Sequence, residues 1–206
     1  MGFYEDRILQ LCDDRIRTLA RIRIRSFGAD VLSLTAMRVM VYSQLEGGVK
    51  ELVSFVIRQI NSYPLQLGEI SPALLKWRNS QDINSFRAAV NFDNIASSFP
   101  FGNLPAKRVK VRPINRISEF NQMNSQNLTV IYDGLRLNKG VLTTKKSNVD
   151  DLVSARNDAA HHGVMPTTAK NFLEAQLRDD ATMVEKMLED LALQFLTFFS
   201  SQLFRR

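Results

Sequence analysis

Apolar residues recur at intervals of three and four along most of the chain, the spacing that places them on one face of a helix. Leu9, Cys12, Ile16 and Leu19 predict a first helix from about Tyr4 to Ser26. Arg15, Arg17, Arg21, Arg23 and Arg25 crowd its second half, where cations complement the negative end of the helix dipole, and they read as a solvated face. After Phe27-Gly28-Ala29-Asp30 a long run rich in Leu, Met and Val predicts a helix to about Ser62, closed by Tyr63-Pro64. Only Gly47-Gly48 interrupts it. Each glycine costs about 1 kcal/mol of helix propensity relative to alanine, which is tolerable where a second helix or a ligand must approach closely.

Ser71-Pro72 joins a capping residue to a proline at the first helical position and opens a helix through Trp77, a core anchor. From about Asn79 to Asn127 the periodicity weakens and Asn, Ser, Pro and Phe accumulate, so residues 79–127 read as a loop-rich insert. Inside it, the stretch Lys107 to Arg116 carries five cations, with alternation at its centre that predicts a short β-hairpin arm. A short helix is expected over Leu128 to Leu135, a loop over Asn138 to Lys146, and a helix from about Asn148 to His162, capped by Ser147 and stopped by Gly163 and Pro166. Thr167 or Thr168 caps a further helix through about Leu177. A last one, from Asp180 to Phe204, carries Met183, Val184, Met187, Leu188, Leu191, Phe195, Phe198 and Phe199 on an apolar face that reads as core or dimer surface. The predicted fold is therefore all-α, one domain over residues 1–206.

The chain has 206 residues, 45% of them hydrophobic, enough for one substantial core and few for two. Its formal charge of +6 favours an anionic partner without identifying it. The single cysteine, Cys12, reads as core and excludes an intramolecular disulfide and a multi-cysteine zinc site. With no secretory signal pattern and no long uncharged apolar run, a cytoplasmic protein without a membrane span is expected. No glycine-rich phosphate loop and no His-Glu-x-x-His helix is present. No metal site and no cofactor are expected.

The candidate chemistry gathers at Arg156-Asn157-Asp158-Ala159-Ala160-His161-His162-Gly163, which holds both histidines of the chain. On its predicted helix the apolar stripe is Val149, Leu152, Val153, Ala159 and Ala160, and Arg156 falls at the centre of it. A guanidinium is costly to desolvate unless paired, so a carboxylate, a phosphate or a subunit interface is expected beside it. Asn157 and His161 lie one turn apart.

The Arg-x4-His spacing, with Asn after Arg and Ala before His, resembles the RN-xx-AH signature of the HEPN superfamily of α-helical nucleotide-binding and ribonuclease domains. Upstream, Val41-Tyr42-Ser43-Gln44-Leu45-Glu46-Gly47-Gly48-Val49-Lys50 is similar to the LYAHWEGFVK-type helix of the MAE-like and RiboL-PSP-like HEPN branches of bacterial conflict systems. Gly48 and His162 depart from those patterns, which have an aromatic and a glycine there. The resemblance implies a HEPN-like helical bundle, a homodimer with a composite site, and RNA cleavage to a 2′,3′-cyclic phosphate and a 5′-hydroxyl. A toxin or effector in bacterial defence, with an antitoxin protein as a partner, is its implied setting.

The residue types suit that reaction. Attack by the 2′-hydroxyl needs proton transfer near neutrality, and an ordinary imidazole titrates at about 6.5; it also needs a cation on the phosphorane, which a guanidinium supplies through two donors at once. His161 is thus the expected acid and base, Arg156 the phosphate ligand and Asn157 the positioning amide, with His162 the competing imidazole. Glu46 is the candidate carboxylate for orienting Arg156; a plain Glu46–Lys50 pair is the alternative. Lys107, Arg108, Lys110 and Arg112 could bind RNA backbone or form a solvated arm. Residues five apart stand roughly 140° apart on a helix, so Arg156 and His161 of one chain cannot easily aim at one atom, whereas two chains facing across a twofold can build the cleft together. The rival expectation is a non-catalytic HEPN module that binds nucleotide or RNA, or dimerises with a partner.

Overall fold

The computed structural model describes residues 3–65, 69–71, 74, 120–161 and 169–205, and all statements below concern these. Five helices carry the described fold: α1 (Phe3–Arg25), α2 (Val31–Ser62), α3 (Ser125–Leu135), α4 (Gly140–His161) and α5 (Lys170–Ser200). α2 is the axis, packing against α1, α4 and α5, while α5 also meets α1 and α4, and α3 lies on α4. The all-α expectation holds. The one β-type pairing among the described residues is a single bridge between Ile70 and Arg205. The predicted helix through Trp77, the β-hairpin arm with Lys107, Arg108, Lys110 and Arg112, and His162 lie outside the described residues.

α1 forms where expected, but its buried edge is rotated. Ile8, Cys12, Leu19 and Ile22 are buried, while Leu9 is exposed and Ile16 only partly covered. The arginine face is not simply solvated either: Arg15 pairs with Glu51 of α2 at 2.7 Å, and Arg23 with Glu185 of α5 at 2.6 Å. At the α1–α2 turn Gly28 takes φ +73°, a left-handed conformation that other residues adopt at a cost. Asp30 then caps α2, its carboxylate accepting from the Ser33 N–H at 2.8 Å.

The glycine pair in α2 is where neighbouring elements come closest. A Cβ on Gly48 would stand 2.7 Å from a terminal methyl of Leu188 on α5, and one on Gly47 would stand 3.0 Å from the Arg15 guanidinium. The close approach is thus by helices, on both sides of α2.

Three boundaries differ from the sequence expectation, each because a tertiary contact uses a residue that reads locally as a terminus. α3 begins at Ser125, with Asn124 as its cap accepting from Asn127 N–H; Phe120 and Met123 are buried, so the end of the supposed insert belongs to the core. α4 starts at Gly140, about two turns before the predicted cap at Ser147. Leu142 and Val149, seven residues apart, are both buried and anchor that extension. Asp150 therefore lies mid-helix and serves another element, its carboxylate accepting from the N–H and hydroxyl of Ser125 at 2.9 and 2.6 Å. α5 is continuous across the break expected between Leu177 and Asp180. Asp180 opens no helix; it is buried and accepts from Arg38 Nε of α2 at 2.8 Å. Along α5 the predicted apolar face is buried, with Phe199 half-buried.

Burial raises the Asp180 carboxyl above the ordinary range against the opposing pull of Arg38, with the neighbouring Asp179 and Asp151 adding to the rise. Losing one partner of a buried pair is far costlier than losing both. Arg38→Met should cost about 3 kcal/mol in urea unfolding at neutral pH, and Arg38→Met with Asp180→Leu should regain most of that. The single-variant loss should shrink as pH falls through the raised Asp180 range, because a protonated carboxyl no longer buries an unpaired charge.

Burial, reinforced by Glu189, Asp13 and Glu185, pushes the Cys12 thiol up to about 11. The folded protein favours the neutral thiol, so this contribution to stability is present below the ordinary thiol range and is lost as pH rises through about 11. At pH 8, Cys12 should react with a disulfide reagent far more slowly in the native chain than in urea.

Candidate functional site

Tyr42 is the centre of the candidate site. It sits on the buried side of α2 and is 1% exposed, so its hydroxyl must find partners inside the protein. Met123 N–H donates to that oxygen at 3.0 Å, tying the segment before α3 to α2. Glu46 stands one helical turn along α2, close enough for its charge to act on the phenol. Burial raises Tyr42 above the ordinary tyrosine range and Glu46 adds to the rise, while the Met123 N–H and the Arg156 charge work against it.

Arg156 reaches this cluster from α4. Its guanidinium carbon lies 5.7 Å from the Tyr42 ring centroid, over the electron-rich face that attracts a cation. Its Nη1 donates to Asn157 Oδ1 at 3.1 Å, and Gln122 Nε2 donates to the same oxygen at 3.2 Å. Both Arg156 and Asn157 are half-buried. Among the described residues, no carboxylate forms an ion pair with Arg156.

Glu46 does not take the place expected of it beside Arg156. Its carboxylate pairs with Lys50 across one turn of α2. His161 is the last residue of α4 and exposed. It lies one turn beyond Asn157 along α4. Among the described residues no three His, Cys, Asp or Glu side chains stand close enough to hold a metal ion, and no helix is long and apolar enough to cross a membrane.

The chain matches the MAE_28990-like HEPN family over residues 6–204. It belongs to the HEPN superfamily. No curated protein and no solved structure matches the chain. The match spans both the α2 segment around Tyr42 and the α4 segment around Arg156, so the HEPN domain includes every described element of the site.

Sequence reasoning missed two members of this cluster. Tyr42 stood inside the segment that resembles the HEPN helix, and its i,i+4 relation to Glu46 was a readable signal. Gln122 gave none, because only folding brings the end of the insert to α4. The Tyr42 hydroxyl can be tested apart from its ring. Tyr42→Phe keeps the face beneath Arg156 but leaves the buried Met123 N–H without its acceptor, and should lower stability by about 1 to 2 kcal/mol in chemical denaturation.

Proposed function

We propose that this HEPN protein is a metal-independent endoribonuclease. The observation that carries the reading is Arg156: a half-buried guanidinium in a HEPN domain, held over a neutral phenol and bonded to a neutral amide. Such a cation keeps its charge for a ligand with several acceptor oxygens, and a phosphodiester is one.

In this reading Arg156 binds the scissile phosphate and stabilises the phosphorane, Asn157 helps to place a phosphate oxygen, and His161 moves the protons. An imidazole takes the 2′-hydroxyl proton as the P–O2′ bond forms; a proton is delivered to the 5′-oxygen as the P–O5′ bond breaks. The products are a 2′,3′-cyclic phosphate and a 5′-hydroxyl. Glu46 acts indirectly, through its charge beside the Tyr42 phenol. The angular separation of Arg156 and His161 on α4 favours a homodimer in which each cleft takes Arg156 from one chain and His161 from the other. We assign the protein to bacterial defence, as a toxin or effector in the cytoplasm with an antitoxin partner, on its resemblance to HEPN branches of conflict systems.

A second reading, a non-catalytic HEPN module that binds RNA, draws on the exposed position of His161 at the end of α4. Purified protein incubated with structured RNA in EDTA separates the two. The nuclease reading expects cleavage with cyclic phosphate ends and a loss of at least about a hundredfold in both Arg156→Ala and His161→Ala, with His162→Ala remaining active. Mixing the two inactive variants should restore about a quarter of the wild-type rate, because half the random dimers are mixed and each has one intact cleft. Inert wild-type protein that still binds RNA supports the second reading.

A further inference from the structure

We infer that Gln122 is a positioning residue that holds Asn157 with its amide N–H groups outward, so that Arg156 and Asn157 present a face made only of donors to an RNA phosphate. The inference rests on reading this cluster as a phosphate site.

The orientation of both amides follows from one fact about arginine. A guanidinium has donors and no acceptor, so the Asn157 atom 3.1 Å from Arg156 Nη1 is the oxygen. The Gln122 atom 3.2 Å from that same oxygen must then be the donor Nε2. Two donors fill the two lone pairs of Asn157 Oδ1. What remains of Asn157 is its Nδ2, with two N–H groups for which the described residues provide no acceptor. The unused N–H groups of Arg156 have the same polarity. A ligand meeting this face must offer several acceptor oxygens and no competing donor, which describes a phosphodiester.

Gln122 is suited to hold the arrangement because the peptide group that follows it is bonded at both its oxygen and its N–H. Its carbonyl accepts from Asn127 Nδ2 at 2.6 Å, and the next residue, Met123, is buried and bonded to the Tyr42 hydroxyl. When Arg156 turns its donors toward a phosphate, its bond to Asn157 loosens; Gln122 then keeps Oδ1 facing inward. Without it, Asn157 can rotate and aim its oxygen at the anion.

The test is a double-mutant cycle on affinity for a 2′-O-methyl RNA oligonucleotide, which cannot be cleaved, measured by fluorescence anisotropy in EDTA. Gln122→Leu and Asn157→Ala should each weaken binding about fivefold, the scale of one net hydrogen bond. The double variant should bind no more weakly than Asn157→Ala alone, because Gln122 acts through Asn157. Both side chains are half-buried, and thermal melts establish that each variant is folded. Unchanged binding in Gln122→Leu, additive losses in the double variant, or no binding by the wild type overturns the proposal. Cleavage of unmodified RNA is followed separately. A wild type that cleaves nothing yet reproduces the cycle rejects the nuclease reading and retains the positioning role, and an active wild type with an additive cycle does the reverse.

Discussion

A single buried phenol joins the parts of this molecule that matter for its chemistry. Tyr42 comes from the central helix, accepts a hydrogen bond from the segment leading into α3, and lies beneath the guanidinium of α4. Because it is almost wholly enclosed, its hydroxyl cannot exchange these partners for water, and an unmade bond there would carry the full desolvation cost. The position of Arg156 is therefore inherited from the packing of three elements on one side chain. A charged group held this way keeps its donors directed outward without needing an acid to restrain it.

The rest of the bundle supports that arrangement by letting helices approach unusually closely and by pairing the few polar groups it buries. Gly48 lets α5 pack so closely on α2 that a Cβ there would have to displace the Leu188 side chain. Farther along the same two helices, the buried Arg38–Asp180 pair joins α2 to α5, each charge offsetting the other's burial. Asp150 does a comparable job for α3 and α4 by bonding to both the N–H and the hydroxyl of Ser125. Each of these polar contacts joins two helices that carry or support the site.

Within this frame the candidate site has a clear polarity. Glu46 is engaged with Lys50, and Asp150 with Ser125. Arg156, Asn157 and Gln122 form a chain of bonds that begins at a permanent cation and ends at a backbone carbonyl-anchored amide. Membership of the HEPN superfamily gives this polarity a chemical context. His161, by contrast, stands on the exposed end of α4.

Much of this was legible in the residues alone. Helical spacing predicted the all-α fold, the run from Asp30 to Ser62 and the apolar face of the last helix, because burying a face is a demand that each segment writes into its own period. The Arg-Asn-x2-Ala-His segment and the Val41 to Lys50 segment marked the family and the region of the candidate site. Local signals failed where one residue type serves two purposes. Asp150 falls in the first turn of the helix expected from Asn148, and Asp180 at the start of the last one, where carboxylates are favoured, yet their partners, Ser125 and Arg38, are supplied by distant parts of the chain. Likewise, nothing near Gln122 in the sequence announces Asn157, and nothing near Arg156 announces the ring beneath it. Periodicity is a property of a segment and can be read from it; the partner of a buried polar group is a property of the packed chain, and only the tertiary structure decides it.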